Sequence, residues 1–132
     1  MEIKSIQDVK SFLLNPDLNI RSLMQGVAVV AQTGDYNMTV QITVAVIESL
    51  RGMVEFLHDC ARVTQESGYR EISEKIVYEK NRLSNVYGIL HPVCNDVRAG
   101  IKDLGDLQSA FEFVVKDLLS IHDVLTSVPS KI

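Results

Sequence analysis

Apolar residues recur along this chain at three- and four-residue steps, the repeat of an α-helix with one face against a core. The longest pattern follows Asn37 in MTVQITVAVIESLRGMVEFLHDCARVTQES, where Val40, Val44, Ile47, Leu50, Val54, Leu57 and Ala61 keep a 4-3-3-4-3-4 spacing. A second row, Ile42, Val46, Met53, Phe56, Cys60 and Val63, lies beside it, so the stripe is broad and this helix is expected to be central. Thr39 to Val46 also alternates at period two and is rich in β-branched residues, so QGVAVVAQ and MTVQITVAV could instead pair as a β-hairpin within residues 26–46, across TGDYN. Helix is favoured because its repeat runs unbroken to Val63, far beyond an ordinary strand.

Turn-forming pairs at Asn15-Pro16, Thr33-Gly34-Asp35, Ser67-Gly68, His91-Pro92, Gly105-Asp106 and Val128-Pro129 divide the rest of the chain. Ser5 and Asp8 resemble a capping box and open a short helix over 5–14 with Val9, Phe12 and Leu13 on one face. Asn15 and Pro16 start a second helix carrying Ile20, Leu23, Met24, Val27 and Val30, which ends near Thr33-Gly34. A fourth helix is expected over 69–90, with Tyr69, Ile72, Ile76, Leu83, Val86 and Leu90 on a seam that Glu79 interrupts. Glu66/Arg70, Glu71/Lys75 and Lys75/Glu79 are its neighbouring outer charges. Pro92 biases His91 away from helical geometry and starts a fifth segment with Val93, Val97, Ile101 and Leu104. Gly105 then breaks the chain, and Asp106 caps a last helix in which Leu107, Phe111, Val114, Leu118, Ile121 and Leu125 recur until Pro129. The expected fold is all-α, one domain over 1–132, an antiparallel bundle of five to six helices of which four are long.

Composition narrows the class. The 132 residues are 46% hydrophobic and 23% charged, with seven glycines and three prolines, which excludes collagen-like and disordered chains. A net charge of −4 leaves no cationic excess for a phosphate backbone, so no DNA partner is expected. Cys60 and Cys94 lie far apart, and the opening MEIKSIQDV has no basic region followed by an apolar run. A cytoplasmic protein with reduced, buried cysteines is the expectation.

Local chemistry is sparse. His58 and Cys60, two apart, diverge by about 200° on a helix, and His91 with Cys94 has no supporting CxxC or HExxH motif, so no metal or cofactor is expected. Phosphate-loop, dinucleotide and nucleophile-elbow motifs are absent from the sequence. Arg51-Gly-Met-Val-Glu-Phe-Leu-His58 places an arginine and a histidine two turns apart on one face. This resembles the HEPN-domain ribonucleases, small and often dimeric all-α proteins in which such a pair, about four to six residues apart, cleaves RNA by charge stabilisation and proton transfer. The resemblance covers eight residues and departs at Gly52, where that family usually has a polar residue. It would make Arg51 and His58 catalytic and RNA the partner. The competing reading places both at an ordinary solvated face traced by Glu48, Arg51, Glu55, Asp59, Arg62 and Glu66.

The most unusual feature is the distribution of charge. From Ser22 to Ile47 the only ionised side chain is Asp35, where about six would be expected from the overall composition. Each arm of this stretch is too short to span a bilayer, and it lacks the lysines and arginines of a membrane-surface helix. The expected cover is another protein chain, most simply a second copy in a homodimer, met through Val30, Met38, Gln41 and Ala45. The functional expectation is a non-enzymatic protein-binding module of the adaptor, regulator, secretion-chaperone or immunity kind, with the ribonuclease as the alternative. The helical reading predicts a far-UV circular dichroism spectrum dominated by helix; a substantial strand component would instead place the hairpin at 26–46.

Overall fold

The computed structural model describes residues 2–14 and 34–132, together with Leu23, Gln25, Gly26, Ala28, Val29 and Gln32 between them. Among the described residues there is no strand; the chain forms α1 (Ile6–Leu14), α2 (Tyr36–Glu66), α3 (Arg70–Arg98) and α4 (Leu104–Ser127), followed by a 3-10 turn at Val128–Lys131. Leu23, Gln25, Gly26, Ala28, Val29 and Gln32 are also helical, whereas Ile20, Met24, Val27 and Val30 of the expected second helix lie outside the described residues. Thr39 to Val46 is helix rather than one arm of a hairpin.

Helix starts follow side-chain chemistry close to the chain. The Asp8 N–H donates to Ser5 Oγ at 3.2 Å and the Ser5 N–H donates to Asp8 Oδ2 at 3.1 Å, completing the expected box at α1. Asp35 caps α2 by accepting from the Met38 N–H at 2.9 Å. At α4 the cap is Asp103, not Asp106: each carboxylate accepts the other residue's backbone N–H, at 3.0 and 3.1 Å, and Gly105 sits inside the first turn. This reciprocal arrangement satisfies two of the unpaired donors at the helix start.

The largest departure from the sequence reading is at Pro92. The expected fourth and fifth segments are one helix, α3, with Pro92 inside it. Proline cannot donate to the Gly88 carbonyl four residues earlier, but Gly88 and Pro92 are both exposed, so that carbonyl lies on the solvated side. On the opposite side Leu83, Val86, Leu90, Cys94 and Val97 remain buried at helical spacing across the proline. The break comes eight residues later at Gly100, whose φ of +76° suits glycine, and the Ile101 N–H reaches back to the Asp96 carbonyl at 2.8 Å. Ile101, expected on an apolar face, is therefore exposed in the connection to α4. Gly68, at φ +89°, ends α2 in the same way.

α3, rather than α2, is the helix that both other long helices pack against; α1 closes the core against α2, α4 and the 3-10 turn. The expected α4 seam is buried throughout, and Phe12 of α1 meets Phe56 of α2 with ring centroids 5.1 Å apart. Glu79 sits on the buried seam of α3, 2% exposed, and its carboxylate accepts from Arg82 at 2.9 Å. Arg82 also lies 3.7 Å from Asp117 of α4. Burial raises the Glu79 carboxyl above its ordinary value, while the charge and hydrogen bond of Arg82 pull it down.

Removing one partner of a buried pair strands the other, so Arg82→Ala is expected to cost about 3 kcal/mol near neutral pH. The deficit should shrink on acidification, because Glu79, already raised by burial, loses its Arg82 counter-charge and takes up a proton as pH falls through its raised folded value. Urea unfolding of both proteins at neutral and mildly acidic pH checks this; a deficit independent of pH would mean that Glu79 is not the stranded charge.

Candidate functional site

Two features adjoin on the outer side of α2. Over its first three turns the exposed residues are Tyr36, Asn37, Met38, Gln41 and Ala45, and ionised side chains resume only at Glu48. Met38 is 52% exposed, Tyr36 46%, and Val29, before the helix, 45%. Of the expected contact residues, Met38, Gln41 and Ala45 therefore share an exposed, uncharged face, while Val30 lies outside the described residues.

The inner side of these turns differs from the sequence reading. Thr39 and Thr43 are fully buried, whereas Val40 and Val44 are half-buried. A threonine hydroxyl can be buried in a helix if it returns a hydrogen bond to the preceding turn, and Thr43 Oγ1 donates to the Thr39 carbonyl at 2.7 Å. Gly26 lies against the same stretch of α2; a Cβ there would stand 2.6 Å from Val46 Cγ2.

From Glu48 onward the groove between α2 and α3 gathers the polar chemistry. Arg51 donates to the Tyr87 hydroxyl at 2.8 Å, with its guanidinium carbon 5.7 Å from the ring centroid. Tyr87 stacks on His91 at 5.0 Å with the planes 12° apart, and Asn95 Nδ2 lies 3.5 Å from His91 Nε2. The Tyr87 hydrogen bond, helped by the fields of Tyr87, Glu48 and Glu55, holds the Arg51 proton more firmly than usual. Arg51 separates two hollows. One, of about 280 Å³, is lined by Arg51, Val54, Glu55, Ser84 and Tyr87. The other, of about 140 Å³, is lined on the α2 side by Val44, Ile47, Glu48 and Arg51 and on the α3 side by His91, Cys94, Asn95 and Arg98.

The structure thus brings Arg51 to Tyr87, and no hydrogen bond joins it to His58, which is exposed further along α2. Cys60 is buried away from His58, its thiol pushed up to about 12 mainly by burial. Burial also raises the Cys94 thiol, with the Arg98 charge acting in the opposite sense. Among the described residues no group of three or more His, Cys, Asp and Glu is placed to hold a metal ion, and no helix is long and apolar enough to cross a membrane. Sequence reasoning did not single out Tyr87, Asn95 or Arg98. The available signal was the turn at Gly68, which brings Arg51, 17 residues before it, level with Tyr87, 19 after it.

Comparison with protein-family models, curated proteins and solved structures gives no match to this chain.

Because Arg51 and His58 share no partner, their replacements should act independently. Arg51→Ala is expected to destabilise the fold more than His58→Ala, and the double replacement to show the sum of the two, measured by urea unfolding. A clearly non-additive double mutant would couple the pair and return weight to a joint chemical role.

Proposed function

We propose that the protein is a non-enzymatic protein-binding module that assembles with a second copy of itself through the uncharged face of α2 formed by Met38, Gln41 and Ala45. The observation that carries this reading is that the face is exposed and apart from Asp35 carries no ionised residue, although solvated helix faces elsewhere in the chain do, as at Glu48, Arg51, Glu55, Arg62 and Glu66. Two copies of a chain with a net charge of −4 repel each other, and a two-fold contact brings each patch onto itself. An uncharged patch is where that self-encounter meets least electrostatic opposition. Exposed methionine and tyrosine supply the apolar contact, with Gln41 able to bond across the interface.

The bundle that presents this face is read as antiparallel. In support, Ala61 near the end of α2 accepts from Ser73 near the start of α3 at 2.7 Å, while Tyr36 at the start of α2 donates to the Val97 carbonyl near the end of α3 at 3.2 Å. The ribonuclease alternative has less support, since its arginine is bonded to Tyr87.

An Ala45→Arg replacement would place an unpaired cation in the contact and is expected to weaken association by about two orders of magnitude or more. Light scattering after size exclusion reads this directly. The reading predicts a wild-type dimer and a folded monomeric variant; a wild-type protein monomeric at about 100 μM, far above the dissociation constants of stable complexes, would overturn it.

A further inference from the structure

We propose that the 140 Å³ hollow between α2 and α3 is a binding site for a small oxyanion, a phosphate or carboxylate group, held by Arg51, His91, Asn95 and Arg98. This does not rest on self-association. Two arginines and one glutamate, Glu48, line the hollow, which leaves it a net positive charge in a chain that is negative overall. Neither Arg51 nor Arg98 forms an ion pair among the described residues, although Arg62, Arg70 and Arg82 each do. Arg51 is instead anchored by a neutral hydroxyl, which fixes the group without cancelling its charge. The imidazole of His91 is held in place by its stack on Tyr87, and the Asn95 amide lies beside it.

The floor of Val44, Ile47 and Cys94 is apolar or buried, and an apolar floor strengthens the attraction between a fixed guanidinium and an anion. Guanidinium forks match the paired oxygens of phosphate and carboxylate, and the His91 ring and the Asn95 amide add further polar groups that a simple halide would leave mostly unused. The volume holds several water molecules' worth of space, at about 30 Å³ each, enough for one such group but not for a nucleotide.

Titration with inorganic phosphate, followed by NMR at the arginine side-chain N–H groups and the backbone amides of 91–98, tests the site, with acetate as the carboxylate probe. Saturable shifts centred on this hollow are expected from at least one probe, and the comparison of the two shows which oxyanion is preferred. Arg98→Gln should weaken binding by about tenfold or more, the loss of one charge-assisted contact, and Arg98→Lys should restore part of it. Arg62→Gln, on an exposed arginine elsewhere on α2, should leave binding unchanged. Arg98 is exposed, so its variants are expected to stay folded, which circular dichroism checks. Shifts that do not saturate with either probe, or that fall equally in the Arg62 and Arg98 variants, would overturn the proposal.

Discussion

The continuity of α3 through Pro92 is the constraint on which the arrangement of this molecule depends. A proline inside a helix normally costs about 3 kcal/mol. Here Pro92 and Gly88 face solvent, and the freed carbonyl is open to water. The buried seam from Leu83 to Val97 gains more from staying in register than it would from breaking. Had the helix ended at His91, the residues His91, Asn95 and Arg98 would not line one wall of a groove opposite Arg51. The polar groove is thus a consequence of apolar burial on the other side of the same helix.

The central position of α3 also explains its least expected core residue. Both α2 and α4 pack on α3, and Glu79 falls on the covered side of the helix. Its carboxylate is retained through Arg82, which reaches from the same helix and extends toward Asp117 of α4. An ion pair of this kind contributes little net stability but penalises the loss of either partner. α2 handles polarity differently: two of its three buried threonines turn their hydroxyls back to the preceding turn, Thr43 to the Thr39 carbonyl and Thr64 to the Cys60 carbonyl at 2.8 Å, while the buried Thr39 hydroxyl has no hydrogen-bond partner among the described residues. Threonine can thus occupy a buried helix face that hydropathy alone assigns to the neighbouring valines.

These arrangements leave the outer surface of α2 divided. Its first three turns present Met38, Gln41 and Ala45 without charge, and the later turns present an ordinary mixture of acids and bases. The division falls at Glu48, beside the hollow shared with α3. An uncharged exposed face and a polar groove are therefore neighbours on one helix, built from separate residues with different chemistry.

The all-helical class, the cap at Ser5 and the α4 seam were legible in the sequence, because each depends on residues within one or two turns of each other. The uncharged stretch was legible too, since charge is a property of composition. What only the tertiary structure decided involves partners far apart in the chain. Pro92 reads as a break from local geometry, and only burial of its far side overrides that reading. Glu79 reads as an interruption until Arg82 and the packing of α4 are in place. The pairing of Arg51 with Tyr87, instead of with His58 on its own helix, follows from the turn at Gly68 and the length of α3. Local pattern sets which helices form; long-range burial sets where they end and which polar groups meet.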